Sequence, residues 1–447
     1  MLFAALALLG LSLPCLAADI RKGHLPKDFN PEKYELRQLV ECTPRDGLPN
    51  FYHKIKKGQK EMNVVYLGGS ITEQDGYRVQ SCEYLQSLYP DIRFNGIKAS
   101  IGGTGSYLGA MRCGHDVVRQ KPDLVFIEFA VNDGGAKPAS LIKSMEGIVR
   151  QIWKADPHTD IVFVYTVTEG IMDDALEGKM HRAASVDEEI ADYYGIPSIH
   201  LAVEVTELLR QGRLVMRPKG GEATHVAGEA LNQTAGDQPM LVFSPDGVHP
   251  FPDTGHKLYT EAIKRSLPLL GRSTRARAHK LYAPMVSDCI EGVTTVYFDD
   301  PRVKVTGDMT KYGGGRPELD YFSHLTEFDI FEPGSEISFK FKGSKVVLYD
   351  ILGPEGVVLD VKVDDLPSKE YVRFDKHCGY CRLSFETVAS NLDPDMVHTI
   401  TIRVTDKPID KRSILGDSAK VLYDKYTDVY LEKHYYSGNI FLFGDLL

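Results

Sequence analysis

The chain has 447 residues, of which 43% are hydrophobic and 26% are charged. This composition is typical of a globular protein with a buried core, and the length fits roughly two or three domains. The formal net charge of −10 argues against nucleic acid as a partner, because an acidic surface repels a phosphate backbone.

The amino terminus has the composition of a targeting segment. Residues 1–18 carry no charged side chain and end in the small residues Ala17 and Ala18. This pattern predicts a secretory signal peptide cleaved after one of these alanines, although a basic start is missing. Pro14 makes a lipid anchor on Cys15 a poor alternative. No later apolar run reaches the roughly 18 residues that a membrane helix needs, so we expect a secreted or periplasmic protein without a membrane span.

Residues 19–60 form a polar lead-in with no clear structural pattern. From residue 61 to 270, apolar runs alternate with helical periodicity, which predicts strands joined by helices. Uninterrupted apolar strands favour a parallel sheet covered on both faces, and therefore a three-layer α/β/α domain. The predicted strands are 62–67, 92–100, 122–132, 160–168 and 196–201, and the predicted helices are 77–90, 106–120, 138–155 and 182–195.

The basic segment 271–284 is a predicted linker, and helical periodicity disappears after it. Apolar and polar residues then alternate in short runs separated by Gly, Pro and Asp turns. This pattern predicts an antiparallel β-sandwich over residues 285–447. The predicted strands are 294–300, 336–343, 345–352, 357–365, 382–388 and 398–406.

Six cysteines follow the predicted signal peptide: Cys42, Cys82, Cys113, Cys289, Cys378 and Cys381. An even number in an exported protein permits disulfides, but the sequence does not indicate their connectivity. The last two form a CxxC motif, which is compatible with a local disulfide, a redox motif or half of a zinc site. No second CxxC and no nearby histidine pair completes a zinc site. We therefore favour structural or free thiols.

Polar or glycine-rich segments follow three of the predicted strands and precede the last helix of the α/β half. They contain Ser70, Gly103, Asn132 and the Asp246-x-x-His249 motif. Because the carboxyl ends of parallel strands lie at the same edge of a sheet, we expect these segments to form one cleft.

The residue types at this edge suit ester hydrolysis. A serine hydroxyl is a weak nucleophile, a histidine can accept its proton, and a carboxylate can orient the imidazole. Asp246 and His249 supply the last two groups from one turn. The oxyanion formed by attack on an ester needs hydrogen-bond donors. The backbone N–H groups of Ser70 and Gly103 and the side-chain amide of Asn132 are the candidates.

These segments resemble, in order and context, the four blocks of the SGNH (GDSL-type) hydrolases, whose fold is flavodoxin-like. GGSIT resembles the nucleophile block, GGTGS the glycine block, VNDGG the asparagine block and DGVHP the Asp-x-x-His block. The resemblance implies that Ser70 is the nucleophile, that Asp246 and His249 complete the triad, and that Gly103 and Asn132 are oxyanion donors. Gly102 is the alternative to Gly103.

The chain departs from the family pattern in two places. Gly69 stands where the family has the aspartate of its GDS core, a position outside the triad. A glycine-rich insertion at 217–240 precedes Asp246, and we expect it to rim the cleft. It contains Asn232-Gln-Thr234, a glycosylation sequon only if a eukaryote secretes the protein.

Other polar residues near these segments are expected to be structural. His256 is expected to be structural and is kept as the second candidate for the catalytic base. Asp133 is expected to hold its loop. Glu128 lies within an apolar strand, so it must be hydrogen-bonded or face the cleft. No matching catalytic partners are found for His115 or His225. The aromatic residues of the second half are expected to form sandwich core rather than a sugar-stacking platform.

The sequence therefore predicts an exported serine esterase, and no motif predicts a metal or an organic cofactor. SGNH enzymes with an appended sandwich resemble carbohydrate esterases, and residues 334–365 are similar to the jelly-roll modules that accompany such esterases. The resemblance implies removal of O-acetyl groups from an acylated small molecule or polysaccharide. The alternatives are a lipase or other acyl-ester hydrolase, and a non-catalytic glycan-binding protein. All five candidate residues precede residue 257, so we expect the sandwich to steer glycans without joining the catalytic machinery.

Overall fold

The computed structural model describes residues 20–218, 226, 240–323 and 328–447. The predicted signal peptide, His225, the sequon at Asn232 and most of the 217–240 insertion lie outside the described residues.

Within these residues, the first sheet has six strands in the spatial order β1-β6-β5-β4-β2-β3. Strands β2 to β6 are parallel, and β1 pairs with β6 in the antiparallel sense. Without β1, the order is that of flavodoxin-like sheets, as predicted. The strands are β1 (Cys42–Thr43), β2 (Glu61–Gly68), β3 (Arg93–Ser100), β4 (Leu124–Glu128), β5 (Asp160–Tyr165) and β6 (Ser198–His200).

The predicted sheet was entirely parallel, so the antiparallel edge strand β1 is a correction. A two-residue strand is too short to produce a recognisable period. Strand β4 is also shorter than the predicted strand 122–132, because the chain leaves the sheet after Glu128 and forms a 3₁₀ turn at Asn132–Gly135.

Helices cover both faces of this sheet, which confirms the three-layer prediction. Val64 and Tyr66 of β2 belong to one buried cluster, and Val65 and Leu67 belong to another on the opposite face. The helices are α1 (Pro49–Lys56), α2 (Ser70–Glu73), α3 (Tyr77–Leu88), α4 (Ser106–Asp116), α5 (Pro138–Ala155), α6 (Met172–Leu176), α7 (Arg182–Tyr194), α8 (Ala202–Arg210) and α9 (Gly255–Leu270). The short strands β7 (Leu214–Val215) and β8 (Leu241–Val242) pair near the end of this half.

The lead-in and the predicted linker both pack on the α/β half. The buried Asp160 carboxylate accepts hydrogen bonds from the backbone N–H groups of Asn50 and Phe51 at 2.9 and 2.8 Å. His279 Nε2 lies 2.7 Å from the same carboxylate. The segment 271–284 is thus held against the first sheet.

The second half is an antiparallel, sandwich-like arrangement of ten strands among the described residues, which confirms the predicted fold class. Its buried core includes Phe331, Ile337, Leu348, Ile400 and Leu442. The strands are β9 (Val293–Val296), β10 (Lys304–Thr306), β11 (Met309–Lys311), β12 (Asp329–Phe331), β13 (Glu336–Leu352), β14 (Val358–Val363), β15 (Lys369–Val372), β16 (Arg382–Ala389), β17 (Val397–Thr405) and β18 (Tyr435–Leu446).

Two features of this half correct the sequence-based expectation. The predicted strands 336–343 and 345–352 form one continuous strand, β13, which bulges at Gly343 rather than turning. Gly343 is needed there because a Cβ would overlap the carbonyl oxygen of Phe443 on β18. Helical structure also returns, in α10 (Pro317–Ser323), α11 (Lys411–Ile414), α12 (Asp417–Lys425) and α13 (Thr427–Leu431).

None of the helices in the described ranges is both long and apolar enough to cross a membrane. The six cysteines in these ranges are unpaired thiols. Burial raises the pKa of the Cys113 thiol to about 12, so this residue is inert at neutral pH.

Candidate active site

The candidate residues meet where the strand order of the first sheet reverses. β2 lies between β3 and β4, and the residues at the ends of β2 and β4, Gly68 and Glu128, are in register. Helices leave this point towards opposite faces, so a crevice opens outside the carboxyl ends of the two strands. Ser70 follows β2 and Asn132 follows β4, which places both at this crevice.

Ser70, His249 and Asp246 form one chain of short contacts. His249 Nε2 lies 2.9 Å from Ser70 Oγ, and His249 Nδ1 lies 2.7 Å from Asp246 Oδ2. Gly247, with φ of +83°, bends the backbone so that residues 246 and 249 face each other. The side chain of His249 is 39% exposed, so the site is open to solvent.

The Asp246 carboxylate is held ionised by the turn that contains it. Its Oδ1 accepts hydrogen bonds from the backbone N–H groups of Val248 and His249, both at 2.8 Å. Partial burial acts to raise the pKa of Asp246, but these bonds and the bond from the His249 side chain outweigh it and lower that pKa to about 2. A fixed negative charge beside Nδ1 favours the imidazole tautomer that carries its proton there.

Three hydrogen-bond donors near Ser70 are free of partners among the described residues: the N–H groups of Ser70 and Gly103 and the side-chain amide of Asn132. Gly103 has φ of +71°, a conformation that favours glycine. The N–H of Gly102 is not free, because it donates to Glu73 Oε2 at 2.7 Å. Of the two adjacent glycines, Gly103 therefore retains the unbonded donor.

The glycine at position 69 is explained by the position of Asn132. A Cβ at Gly69 would overlap the side-chain amide of Asn132. The departure from the family's aspartate thus leaves room for an asparagine that lies directly beside the serine turn.

The neighbouring polar residues have structural contacts. His256 is buried, and its ring nitrogens lie 3.2 Å from the Tyr77 backbone nitrogen and 3.1 Å from Gln74 Oε1. Asp133 accepts from the backbone N–H of Ser106 at 3.1 Å, at the first turn of α4. Both residues support the loops around the site, as predicted.

Glu128 is buried behind the serine turn and does not line the cleft. Its two carboxylate oxygens accept hydrogen bonds from the hydroxyl groups of Thr166 at 2.8 Å and Thr72 at 3.1 Å. Burial raises the pKa of Glu128 to about 7, although both hydrogen bonds oppose this shift. The carboxyl group therefore titrates near neutral pH in the folded protein.

We expect the free energy of unfolding of the wild type to fall, relative to that of Glu128→Gln, as the pH rises from about 4.5 to about 7. The folded state keeps a proton that an ordinary carboxyl group in the unfolded chain has released. The resulting stabilisation is fully present below the unfolded pKa and is lost as the pH rises through the folded pKa. Urea unfolding of both proteins across this range measures the difference, and parallel pH profiles would contradict it.

Two residues at the site were missed by sequence reasoning. Glu73 lies one helical turn after Ser70, and this spacing could have indicated that the two side chains share a face of α2. Tyr321 comes from the second half, and its hydroxyl donates to Glu73 Oε1 at 3.0 Å. No local pattern marks this tyrosine.

A cavity of about 530 Å³ lies beside the serine turn, between the two halves of the chain. The first half contributes the loop Gly102–Gly103, and Gly102 approaches the Ser70 side chain. The second half contributes exposed aromatic side chains, Tyr321, Tyr380 and Phe385. The second half therefore lines part of the cavity beside the serine turn, where the sequence led us to expect it to steer glycans.

Comparison with known proteins agrees with this fold. Residues 66–254 match the sequence profile described as the GDSL-like Lipase/Acylhydrolase family. The protein is an ester hydrolase. More specifically, the chain carries a GDSL-like lipase/acylhydrolase domain, joined to the sandwich-like domain described above. No curated protein matches the chain in sequence.

Two solved structures of one two-domain esterase share the architecture of both halves. A two-domain esterase (CEX) active on acetylated mannans, crystallised with and without mannopentaose, is 18% identical, with TM-scores of 0.62 and 0.61. The two alignments cover 92% and 90% of this chain and 99% of each solved chain. A variant of Axe2, an acetyl xylan esterase from Geobacillus stearothermophilus, is 19% identical over 46% of this chain and 94% of its own, with a TM-score of 0.32. The first similarity extends to both halves of the fold.

Proposed function

We propose that this ester hydrolase removes acetyl groups from carbohydrate esters through a Ser70–His249–Asp246 triad and an acetyl-enzyme. The observation that carries the proposal is the continuous chain of contacts at 2.9 and 2.7 Å from the serine hydroxyl through the imidazole to the carboxylate. A merely structural serine at a helix start has no need of such a chain.

In the first half of the cycle, Ser70 Oγ attacks the carbonyl carbon of the acetyl ester while His249 Nε2 accepts the hydroxyl proton. The carbonyl oxygen becomes an oxyanion, which the N–H groups of Ser70 and Gly103 and the amide of Asn132 bind. The intermediate then collapses, the bond to the sugar oxygen breaks, and His249 returns the proton to that oxygen. The deacetylated sugar leaves, and acetyl-Ser70 remains.

In the second half, His249 removes a proton from water, and the resulting hydroxide attacks the acetyl carbonyl. The same three donors bind the second oxyanion. Acetic acid leaves when the bond to Ser70 Oγ breaks, His249 returns the proton to the serine, and the acid ionises to acetate in water. Asp246 stabilises the imidazolium in both halves of the catalytic cycle without taking up a proton, and its low pKa supports this role.

The proposed substrate class rests on the cavity next to the nucleophile. Tyr380, Tyr321 and Phe385 line it and are 61%, 48% and 45% exposed. Exposed aromatic rings are suited to packing against the apolar face of a sugar ring while the hydroxyl groups stay in water. The fold similarity to an esterase active on acetylated mannans points to the same class.

We also propose that residues 61–270 are the catalytic domain, that residues 285–447 are an accessory domain, and that the protein is exported. The charge-free, alanine-terminated segment 1–18 supports export.

We expect the purified protein to release acetate from acetylated polysaccharides. It should also prefer acetyl over octanoyl p-nitrophenyl esters by at least about tenfold, because a site that acts on acetyl groups needs no pocket for a long acyl chain. Acetate assays on a panel of acetylated glycans, together with rates on synthetic esters of increasing chain length, measure this. A preference for long acyl chains would favour a lipase and contradict the proposal.

Tyr380→Ala tests the sugar contact within the same assay. It should raise KM for an acetylated oligosaccharide several-fold while leaving p-nitrophenyl acetate hydrolysis within about twofold, since remote contacts act only on the larger substrate. Tyr426→Ala is the matched control, because Tyr426 is a half-exposed tyrosine of the second domain that does not line the cavity. Equal effects of both variants would remove the support for a sugar-binding role.

A further inference from the structure

The second domain packs directly on the loop that carries Gly103. Ile101, which precedes the two glycines, is 3% exposed and belongs to a cluster that the second domain otherwise provides. Its partners in that cluster are Leu319, Phe322, Phe328, Ile351 and Tyr436. The first turns of α4, which follow the same loop, are covered in the same way: Leu108 and Met111 are buried with Val347, Tyr349 and Phe441.

A polar contact also reaches the same loop. The two oxygens of the Glu73 carboxylate have different partners: Oε2 accepts the Gly102 N–H at 2.7 Å, and Oε1 accepts the Tyr321 hydroxyl at 3.0 Å. The Glu73 side chain is only 15% exposed. One carboxylate therefore joins the serine-bearing helix α2, the glycine loop and helix α10 of the second domain.

We propose that Glu73 and Tyr321 are positioning residues, through which the second domain fixes the glycine loop for catalysis. The inference rests on the proposed role of Gly103 as an oxyanion donor. An oxyanion donor must lie within about 2.7–3.1 Å of the developing charge, so a small displacement of the loop weakens it. Gly103 has no side chain to hold it, and the bond to its neighbour Gly102 restrains the loop instead.

The arrangement also controls which amide is available. Glu73 occupies the N–H of Gly102 and leaves that of Gly103 unbonded within the described part of the chain. A carboxylate this close to the oxyanion site would repel the developing negative charge. The Gly102 N–H and the Tyr321 hydroxyl both donate to it, and Lys98 Nζ lies 4.0 Å away, which together offset its charge.

The test uses the full-length protein with p-nitrophenyl acetate, a substrate too small to need the sugar-binding surface. Glu73→Ala should lower kcat by roughly 10- to 100-fold with KM changed less than about twofold, because the loss is confined to the transition state. Glu73→Gln keeps an acceptor for the Gly102 N–H and should restore most of that activity. Tyr321→Phe, which removes only the hydroxyl group, should lower kcat roughly three- to tenfold.

The double variant shows whether the two residues act through one another. Tyr321→Phe should have little further effect when combined with Glu73→Ala, since its hydroxyl acts on the loop only through that carboxylate. Tyr426→Phe is the matched control in the second domain and should leave kcat unchanged.

The outcomes separate this inference from the proposed function. A wild type that is inactive, or as active as Ser70→Ala, would overturn the proposed function itself. An active wild type whose Glu73→Ala and Tyr321→Phe variants keep full kcat would overturn the positioning role. A lower melting temperature with unchanged kcat would do the same, because it would assign these residues to stability alone. If Glu73→Ala does not fold, the kcat of Tyr321→Phe decides the question.

Discussion

Ser70→Ala should abolish ester hydrolysis, with kcat reduced by about 10⁴-fold or more, while the protein remains folded. The reason is that the acetyl-enzyme cannot form without the hydroxyl group that lies 2.9 Å from His249 Nε2. Steady-state rates on p-nitrophenyl acetate and acetate release from acetylated glycans measure the loss. A cooperative melt close to that of the wild type shows that the fold is intact.

Two further variants sharpen this result. His249→Ala should be nearly as severe, because the serine then lacks its base. Ser87→Ala is the matched control: Ser87 is an exposed serine on α3 whose hydroxyl donates only to the Tyr84 carbonyl, so its loss should leave the rate unchanged. Normal turnover by pure Ser70→Ala protein would show that another residue carries the reaction.

Asn132→Ala should lower kcat by roughly 10²- to 10³-fold with a much smaller change in KM, the usual effect of removing one oxyanion donor. The side-chain amide lies against Gly69, next to the nucleophile, and has no hydrogen-bond partner among the described residues. It is therefore available to bind a charge that appears only in the transition state. Steady-state kinetics on p-nitrophenyl acetate measure kcat and KM separately.

The split between the two constants decides the role of Asn132. A raised KM with kcat unchanged would mean that Asn132 binds the ground-state substrate. A combined loss with Glu73→Ala that is far from additive would indicate that the amide and the glycine loop serve the same oxyanion.

The architecture of the first domain could be predicted because its information is local. The buried strands are continuous apolar runs, and the amphipathic helix over 138–155 occupies the predicted residues as α5. The candidate residues could be placed at one edge because parallel strands present all their carboxyl ends on the same side. The short contacts from Ser70 to His249 and Asp246 agree with that placement.

Prediction was weaker where local pattern and tertiary contacts disagree. Gly343 suggested a turn, but the strand continues through a bulge because this glycine allows β18 to approach closely. Strand β1 has only two residues, and its pairing depends on the exposed edge of β6. The helices α10 to α13 interrupt a half whose alternating pattern indicated strands alone.

The sequence by itself determined the fold class of both halves, the five parallel strands of the first sheet, and the residue types available for chemistry, because periodicity and residue type act over a few neighbouring positions. Only the tertiary structure decided that the second domain reaches the site. Tyr321 and Glu73 are 248 positions apart, and their contact exists because the apolar faces of two separately patterned domains pack together. The choice of Gly103 over Gly102 as the free donor was likewise decided in three dimensions, because it depends on which amide the Glu73 carboxylate reaches.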